Sequence, residues 1–295
     1  MASVGTVTIS DCKDAEMTVA RRFNPRLGCS TISFRHLGLA DALATIAGLG
    51  FTEIDLGALP GVCDHVPYVL DADAVKTVAA VVEASGLTVR SINADIGDLN
   101  RSLDEPASTA RREHLDMLVA LAVATGSGAL VLPCGALDHE PLETLDADLN
   151  LVSAQLIAAA RVAADHGVEL WTESLHFHRL CWNLERAQQL SERLVGTPVR
   201  QVMDFSHVVA SGGDPVEFIS RLGDHISHVH IRDAVPGNIN LSVGNGDVDF
   251  AYGLKTLEHV DYAGHFSLEL ETRDITNDER PAATARAGRL ISALI

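Results

Sequence analysis

Basic residues are few. The 295-residue chain carries 22 Lys and Arg against 40 Asp and Glu, a formal net charge of −18. A nucleic-acid surface needs clustered Lys and Arg to meet phosphates, so that class of partner is excluded. An anionic small substrate is not, because a pocket can differ locally from the average. The five cysteines, Cys12, Cys29, Cys63, Cys134 and Cys181, are scattered and make no Cys-x-x-Cys pair. An odd, dispersed set reads as reduced thiols in a cytoplasmic protein. The opening MASVGTVTIS lacks a basic region followed by a long apolar stretch, so no secretory leader is expected. No apolar run approaches membrane-spanning length. A glycine-rich Gly-x-Gly-x-x-Gly turn is also missing after the first strand, where Phe34-Arg35-His36-Leu37-Gly38 stands, which argues against a doubly wound nucleotide fold.

What is present is an ordinary globular balance, 47% apolar and 21% charged, and a repeating rhythm. Short β-type runs at 27–33, 51–56, 87–92, 129–132, 168–172, 199–203, 226–231 and 266–270 alternate with helical patterns. The helices read as 39–49, 73–84, 106–125, 145–166, 184–194, 215–222, 251–258 and 278–294, with apolar residues at helical spacing and glycine stops such as Gly50, Gly86 and Gly126. Eight strand-plus-helix units imply a parallel sheet. At this chain length, the expectation is an α/β fold: a closed (β/α)8 TIM barrel, single domain, over residues 27–295. Residues 1–26 form a short N-terminal extension, in which Val4, Val7 and Ile9 hint at an added strand.

In such a barrel, chemistry sits at the carboxyl ends of the strands. Four consecutive strands deliver a carboxylate or imidazole there. The fifth ends at Glu173, the sixth at Asp204, the seventh carries His228 and His230, and the eighth Glu269 and Glu271. The members of each of the last two pairs share a strand face, so period alone does not choose between them. Taken singly, each group reads as a solvated loop or packing residue. Together, three carboxylates converging without a cation would repel one another, and a divalent metal removes that conflict. Mixed oxygen and single-imidazole ligation suits Mn2+, Mg2+ or Co2+, with Zn2+ allowed.

These residues resemble the xylose isomerase-like barrels. The resemblance rests on Glu173, the Asp204-x-x-His207 run, the His228-x-His230-x-x-Asp233 run and Gly264 five residues before Glu269. It extends to Gly28-Cys29-Ser30-Thr31-Ile32-Ser33-Phe34 and to Gly50-Phe51-Thr52-Glu53-Ile54-Asp55-Leu56. That group includes sugar epimerases, inositol-derivative isomerases, hydroxypyruvate isomerase and endonuclease IV. The resemblance implies Glu173, Asp204, His230 and Glu269 as ligands of one divalent ion, Mn2+ by preference. It also implies Glu173 and Glu269 as acid and base on opposite faces of a sugar, and His207 as a substrate contact. Its members are commonly dimers or tetramers, and the 106–125 helix is either an interface or outer-ring packing. Two positions depart from the ketose 3-epimerases of the group: Arg179 stands where they have a further glutamate, and Pro236 where they have a substrate-binding arginine.

The expected activity is isomerisation or epimerisation of a small keto-sugar or polyol-derived carbonyl compound through an enediolate; elimination by a lyase or dehydratase is the alternative. Substrate-binding candidates are His176, Arg179, His207 and Arg232, with His178 and Arg179 alternatively pairing with surface acids. Asp233 is expected to orient His207 or a loop. Val243-Gly244-Asn245-Gly246-Asp247 reads as a turn rather than a phosphate loop, and His65 as an exposed loop residue. Cys134 lacks an evident base partner for nucleophilic chemistry. The −18 charge and missing early-strand histidines set the nuclease reading aside, and the full ligand set disfavours a non-enzymatic sugar-binding barrel.

Overall fold

The computed structural model describes residues 23–295. The strand suggested by Val4, Val7 and Ile9 lies outside the described residues. Eight parallel strands form the barrel: β1 (Leu27–Cys29), β2 (Glu53–Ala58), β3 (Thr88–Ala94), β4 (Ala129–Pro133), β5 (Glu169–Glu173), β6 (Val199–Asp204), β7 (Ile226–Ile231) and β10 (His265–Leu268). The pairing order is β1-β10-β7-β6-β5-β4-β3-β2. The outer helices are α1 (Leu39–Leu49), α2 (Ala72–Ser85), α3 (Glu105–Thr125), α4 (Leu145–Ala164), α5 (Leu184–Leu194), α7 (Pro215–Leu222), α8 (Phe250–His259) and α9 (Arg280–Ser292). The chain is thus a single-domain TIM barrel.

The barrel closes at the β1/β2 seam by packing rather than by a ladder of hydrogen bonds. A side chain at Gly28 would place its Cβ 3.0 Å from the Glu53 carbonyl oxygen, so glycine lets the two backbones approach. Below the seam, Glu53 accepts from Arg90 Nη2 at 2.7 Å and pairs with His265 Nδ1 at 2.8 Å, tying β2 to β3 and β10. Helix starts follow local chemistry. Asp71, Asp104, Thr144, Asn183, Asp214 and Asp249 each accept from a backbone N–H of the first turn. Helix α3 buries Leu115, Leu118, Leu121 and Ala122 within the outer ring and packs against α2.

Three departures from the sequence reading have physical causes. The first strand stops at Cys29 because Ser30 caps a 3-10 turn over Thr31–Phe34. The last helix begins at Arg280, after a 3-10 turn at Asn277–Glu279 closed by a Thr276–Glu279 capping box. A short helix, α6 (Phe205–Ala210), follows β6 without a loop, since the Asp204 carboxylate accepts from Ser206 N at 2.6 Å and turns the chain at once. A small hairpin, β8 (Asp233–Val235) and β9 (Asn238–Leu241), stands over the barrel mouth's β7 side. Among the described residues, no helix is long and apolar enough to cross a membrane.

Candidate metal centre and active site

The strand ends converge as the barrel geometry requires. Glu173, Asp204, His230 and Glu269 are all buried and place one ligand atom each within 4.8 Å of one another. His230 Nδ1 is 3.3 Å from both Glu173 Oε1 and Glu269 Oε2. The ambiguity on β7 resolves, because His228 points away and pairs with Asp55 at 2.7 Å. The ambiguity beyond β10 resolves too. Glu271 turns towards the rim, 2.9 Å from Arg35, while Glu269 faces inward and accepts from Asn93 at 3.0 Å.

Electrostatics show why these groups need a cation. Burial lifts the Glu173 carboxyl above its usual range; the His230 hydrogen bond opposes this, and the negative charges of Glu269 and Asp204 add to it. Burial would push the His230 imidazole down, but Glu269, Asp55 and Glu173 outweigh it and hold its pKa well above the ordinary value. Arg232 is the fixed positive charge of the cluster. It donates to Asp204 at 2.8 Å and to Ser206 at 2.9 Å, and lies 3.6 Å from Glu269. Desolvation works against its charge, but Asp204, Glu269 and Glu271 raise its pKa instead.

Three buried carboxylate arms and one imidazole make a hard, oxygen-rich donor set that a divalent ion fits. A second feature fits the same group. His230 Nε2 is buried without a hydrogen-bond partner and faces Asp55 Oδ2 at 3.5 Å. An imidazole ligating through Nδ1 must carry its proton on Nε2, where Asp55 stands to receive the hydrogen bond. Burial would raise the Asp55 carboxyl, yet His228 and His230 hold it well below the usual carboxylate range. Ser91 donates to its other oxygen at 2.8 Å.

The expected substrate contacts line the cavity over this cluster. Glu173, His176, Arg179, His207, Arg232 and Glu269 all border it. Phe177 N donates to His207 Nδ1 at 3.0 Å, which places the neutral imidazole's proton on Nε2; that nitrogen lies 3.1 Å from Arg232 Nη2, a donor to which it cannot donate in this tautomer, and 3.9–4.0 Å from Asp204 and Glu173. The His176 ring packs on His207 with centroids 4.0 Å apart, its Nε2 3.8 Å from Glu173 Oε2. Burial, then neighbouring positive groups, depress both histidines well below their ordinary pKa. The loop that carries His176 bends at Leu175, whose φ of 136° lies in a region leucine rarely adopts; the buried side chain holds it there.

Other candidates are tied down. Arg179 donates to Asp95 at 2.7 Å and to the Gly135 carbonyl at 2.8 Å, so its Nη groups hold two barrel-top loops together. Asp233 orients a loop and not His207: it accepts from the backbone of Gly244, Gly246 and Val248, which makes the 243–247 segment a turn wrapped on a carboxylate. His65 is buried rather than exposed, bonding Cys63 Sγ at 3.2 Å and the Leu37 carbonyl at 3.1 Å. Reading the strand ends missed Asp55 and Asn93. Their signal was a polar side chain between apolar neighbours, Asp55 inside β2 and Asn93 near the carboxyl end of β3, which a barrel interior tolerates only with a partner.

The comparisons with known proteins agree with this architecture. A family model described as xylose isomerase-like TIM barrel matches residues 43–293, and the chain belongs to that family. An inosose dehydratase of Clostridium botulinum is 26% identical over 143 residues, 41% of this chain and 47% of that protein. The chain spans about a third to a half of the length of the curated relatives it matches. Among solved structures, the 3-keto-D-glucoside 4-epimerase YcjR from E. coli superposes with a TM-score of 0.71 at 19% identity, covering 92% of this chain and 99% of that one. The IOLI protein with a bound zinc atom also gives a TM-score of 0.71, at 17% identity over 91% of this chain and 99% of its own.

Proposed function

We propose that the protein is a divalent-metal-dependent isomerase or epimerase of a small keto-sugar or polyol-derived carbonyl compound. The observation that carries this reading is the buried convergence of Glu173, Asp204, His230 and Glu269 beneath a cavity lined with hydrogen-bond donors. A divalent ion held by these four residues, Mn2+ by preference, supplies Lewis acidity where negative charge develops on a carbonyl oxygen.

The chain's own residues supply the rest. Glu173 from β5 and Glu269 from the end of β10 reach the cavity from different barrel strands, as removing a proton on one face of a carbon and returning it on the other requires. Asn93 fixes the carboxylate plane of Glu269. His207, its Nδ1 taken by the Phe177 amide, turns Nε2 towards Arg232 Nη2 at 3.1 Å, so a substrate oxygen placed beside the two donors accepts from them, and His176 stacked on His207 borders the same cavity. Arg232 stabilises Asp204 in its ionised, ligating form. Arg179 shapes the floor through the Asp95 loop. Return of the proton to the same carbon gives epimerisation; return to the neighbouring carbon gives isomerisation.

Similarity to an inosose dehydratase supports a second reading, in which the same proton abstraction is followed by loss of a β-hydroxyl or aglycone. The four buried, free thiols Cys29, Cys63, Cys134 and Cys181 suit a reducing, cytoplasmic setting. The test is incubation of Mn2+-loaded protein with a panel of ketoses and keto-glycosides in D2O. Deuterium incorporation with retention of the carbon skeleton supports the isomerase or epimerase reading. Loss of water or of an aglycone selects the lyase, and absence of exchange across the panel contradicts both.

A further inference from the structure

The cavity over the ligand cluster is larger than a monosaccharide needs, and its two ends differ chemically. Its volume is about 1160 Å³, beyond the roughly 300–1,000 Å³ of pockets that hold drug-sized ligands. The floor is polar, with Glu173, His176, His207, Arg232, Glu269 and Glu271. The same cavity continues along the β2–α2 loop on one side and α3 on the other, where its lining includes Leu59, Val62, Tyr68, Val69, Leu103 and Met117. Tyr68 and Val69 are each 75% exposed. Apolar side chains gathered in water at the rim of a polar site mark a binding surface.

The wall is held open by chemistry at its base. His65 bonds both Cys63 and the Leu37 carbonyl, and Cys63 N donates to the Leu59 carbonyl at 2.8 Å. These anchors fix the first half of the β2–α2 loop against the 3-10 turn side of the barrel, so Tyr68 and Val69 extend from a pinned segment. The charged lining of this arm is mixed but acidic on balance: Asp71, Glu113 and Asp116 stand with Arg111, whose Nη2 is taken up by the Asp98 carbonyl at 2.8 Å, and this balance disfavours an anionic substituent.

We propose that the substrate is amphipathic: a carbonyl-bearing sugar ring over the polar floor, joined to an apolar aryl or alkyl group that lies along the β2–α2/α3 wall. This inference rests on the function proposed for the floor. Continuity of wall and floor in one cavity favours a substituent of the bound sugar over a separate partner. Removing a phenyl-sized group from water onto this wall is expected to tighten binding about tenfold or more.

The test uses a matched pair, methyl and phenyl 3-keto-β-D-glucopyranoside, with the Mn2+-loaded full chain. Calorimetry gives the affinity of each, and mass spectrometry in D2O gives proton exchange at the carbons beside the carbonyl. Phenyl binding about tenfold tighter than methyl, with the ratio driven towards one by Val69→Asp and by Tyr68→Ala in proteins that still melt cooperatively, supports the proposal. Equal affinities with exchange in both compounds overturn it and leave the floor's function standing. A phenyl preference without exchange in either compound supports the amphipathic ligand and contradicts the floor's chemistry. Binding of neither overturns both. If Val69→Asp instead lowers the molecular mass by light scattering, the wall is a contact between copies of the chain and the proposal fails.

Discussion

Asp55 lies beneath His230, with one carboxylate oxygen 3.5 Å from the imidazole Nε2 and 2.7 Å from the Nε2 of His228. The carboxylate is thus placed to set the tautomer and the tilt of the single imidazole in the proposed ligand cluster, and it is not itself one of the four proposed ligands. Outer partners of this kind typically change metal affinity by about 10–100-fold when removed. Asp55→Asn is expected to weaken Mn2+ binding within that range while the far-ultraviolet circular dichroism stays that of the wild type. Unchanged affinity would mean that His230 is oriented by packing alone.

Arg232 and Asp204 form a buried pair at 2.8 Å with almost no exposure. Deleting one partner of such a pair leaves an uncompensated charge and costs about 3–5 kcal/mol. Arg232→Gln is therefore expected to lower urea stability by that order in chelator-treated protein. Mn2+ should recover a larger share of stability in the variant than in the wild type, because the ion takes over compensation of Asp204. An equal deficit with and without Mn2+ would place Arg232 outside the ligand cluster's electrostatics.

His65 gives the loop wall a defined response to acid. Burial lowers its pKa from the ordinary 6.5, His36 adds to this, and the Leu37 carbonyl and Asp64 oppose it. The folded imidazole stays neutral while the unfolded one takes up a proton below about pH 6.5. Stability from this site is therefore complete above that pH and lost as pH falls towards the depressed folded value. His65→Gln is expected to cost about 1 kcal/mol at pH 7.5 through the Cys63 and Leu37 contacts, and to flatten the decline between pH 7 and 5.5. Parallel wild-type and variant curves would show that His65 takes up its proton at the same pH in the folded and unfolded chains, and would contradict the lowered folded pKa.

The barrel was legible because strand and helix periodicities alternate without interruption, and because the strand order follows once the units are parallel. Element ends were less so. Asp204 reads in sequence as the last residue of a strand, but its side chain also caps α6, and that double duty hides the helix within the Asp204–His207 run. The ligand candidates were legible because strand exits are positions of known direction. Strand period alone did not separate Glu269 from Glu271; the family resemblance chose Glu269 through its distance from Gly264, and the physical distinction lies in tertiary contacts, Asn93 for the first and Arg35 for the second. Asp55 and Asn93 were hidden for the same reason: their partners lie 173 to 176 residues away along the chain. Arg179 read in sequence either as a substrate contact or as the partner of an acid, and only the fold shows which acid, Asp95, lies beside it.

The central claim is that Glu173, Asp204, His230 and Glu269 hold a catalytic divalent ion. Elemental mass spectrometry on protein purified without chelator, wild type beside Glu173→Ala and Asp204→Ala, tests it most directly. The account predicts about one Mn, Co, Mg or Zn per wild-type chain, as suits a single mixed oxygen and imidazole site, and loss of that metal from both variants. A wild-type protein free of metal even after soaking in Mn2+, or variants that retain it in full, would contradict the account.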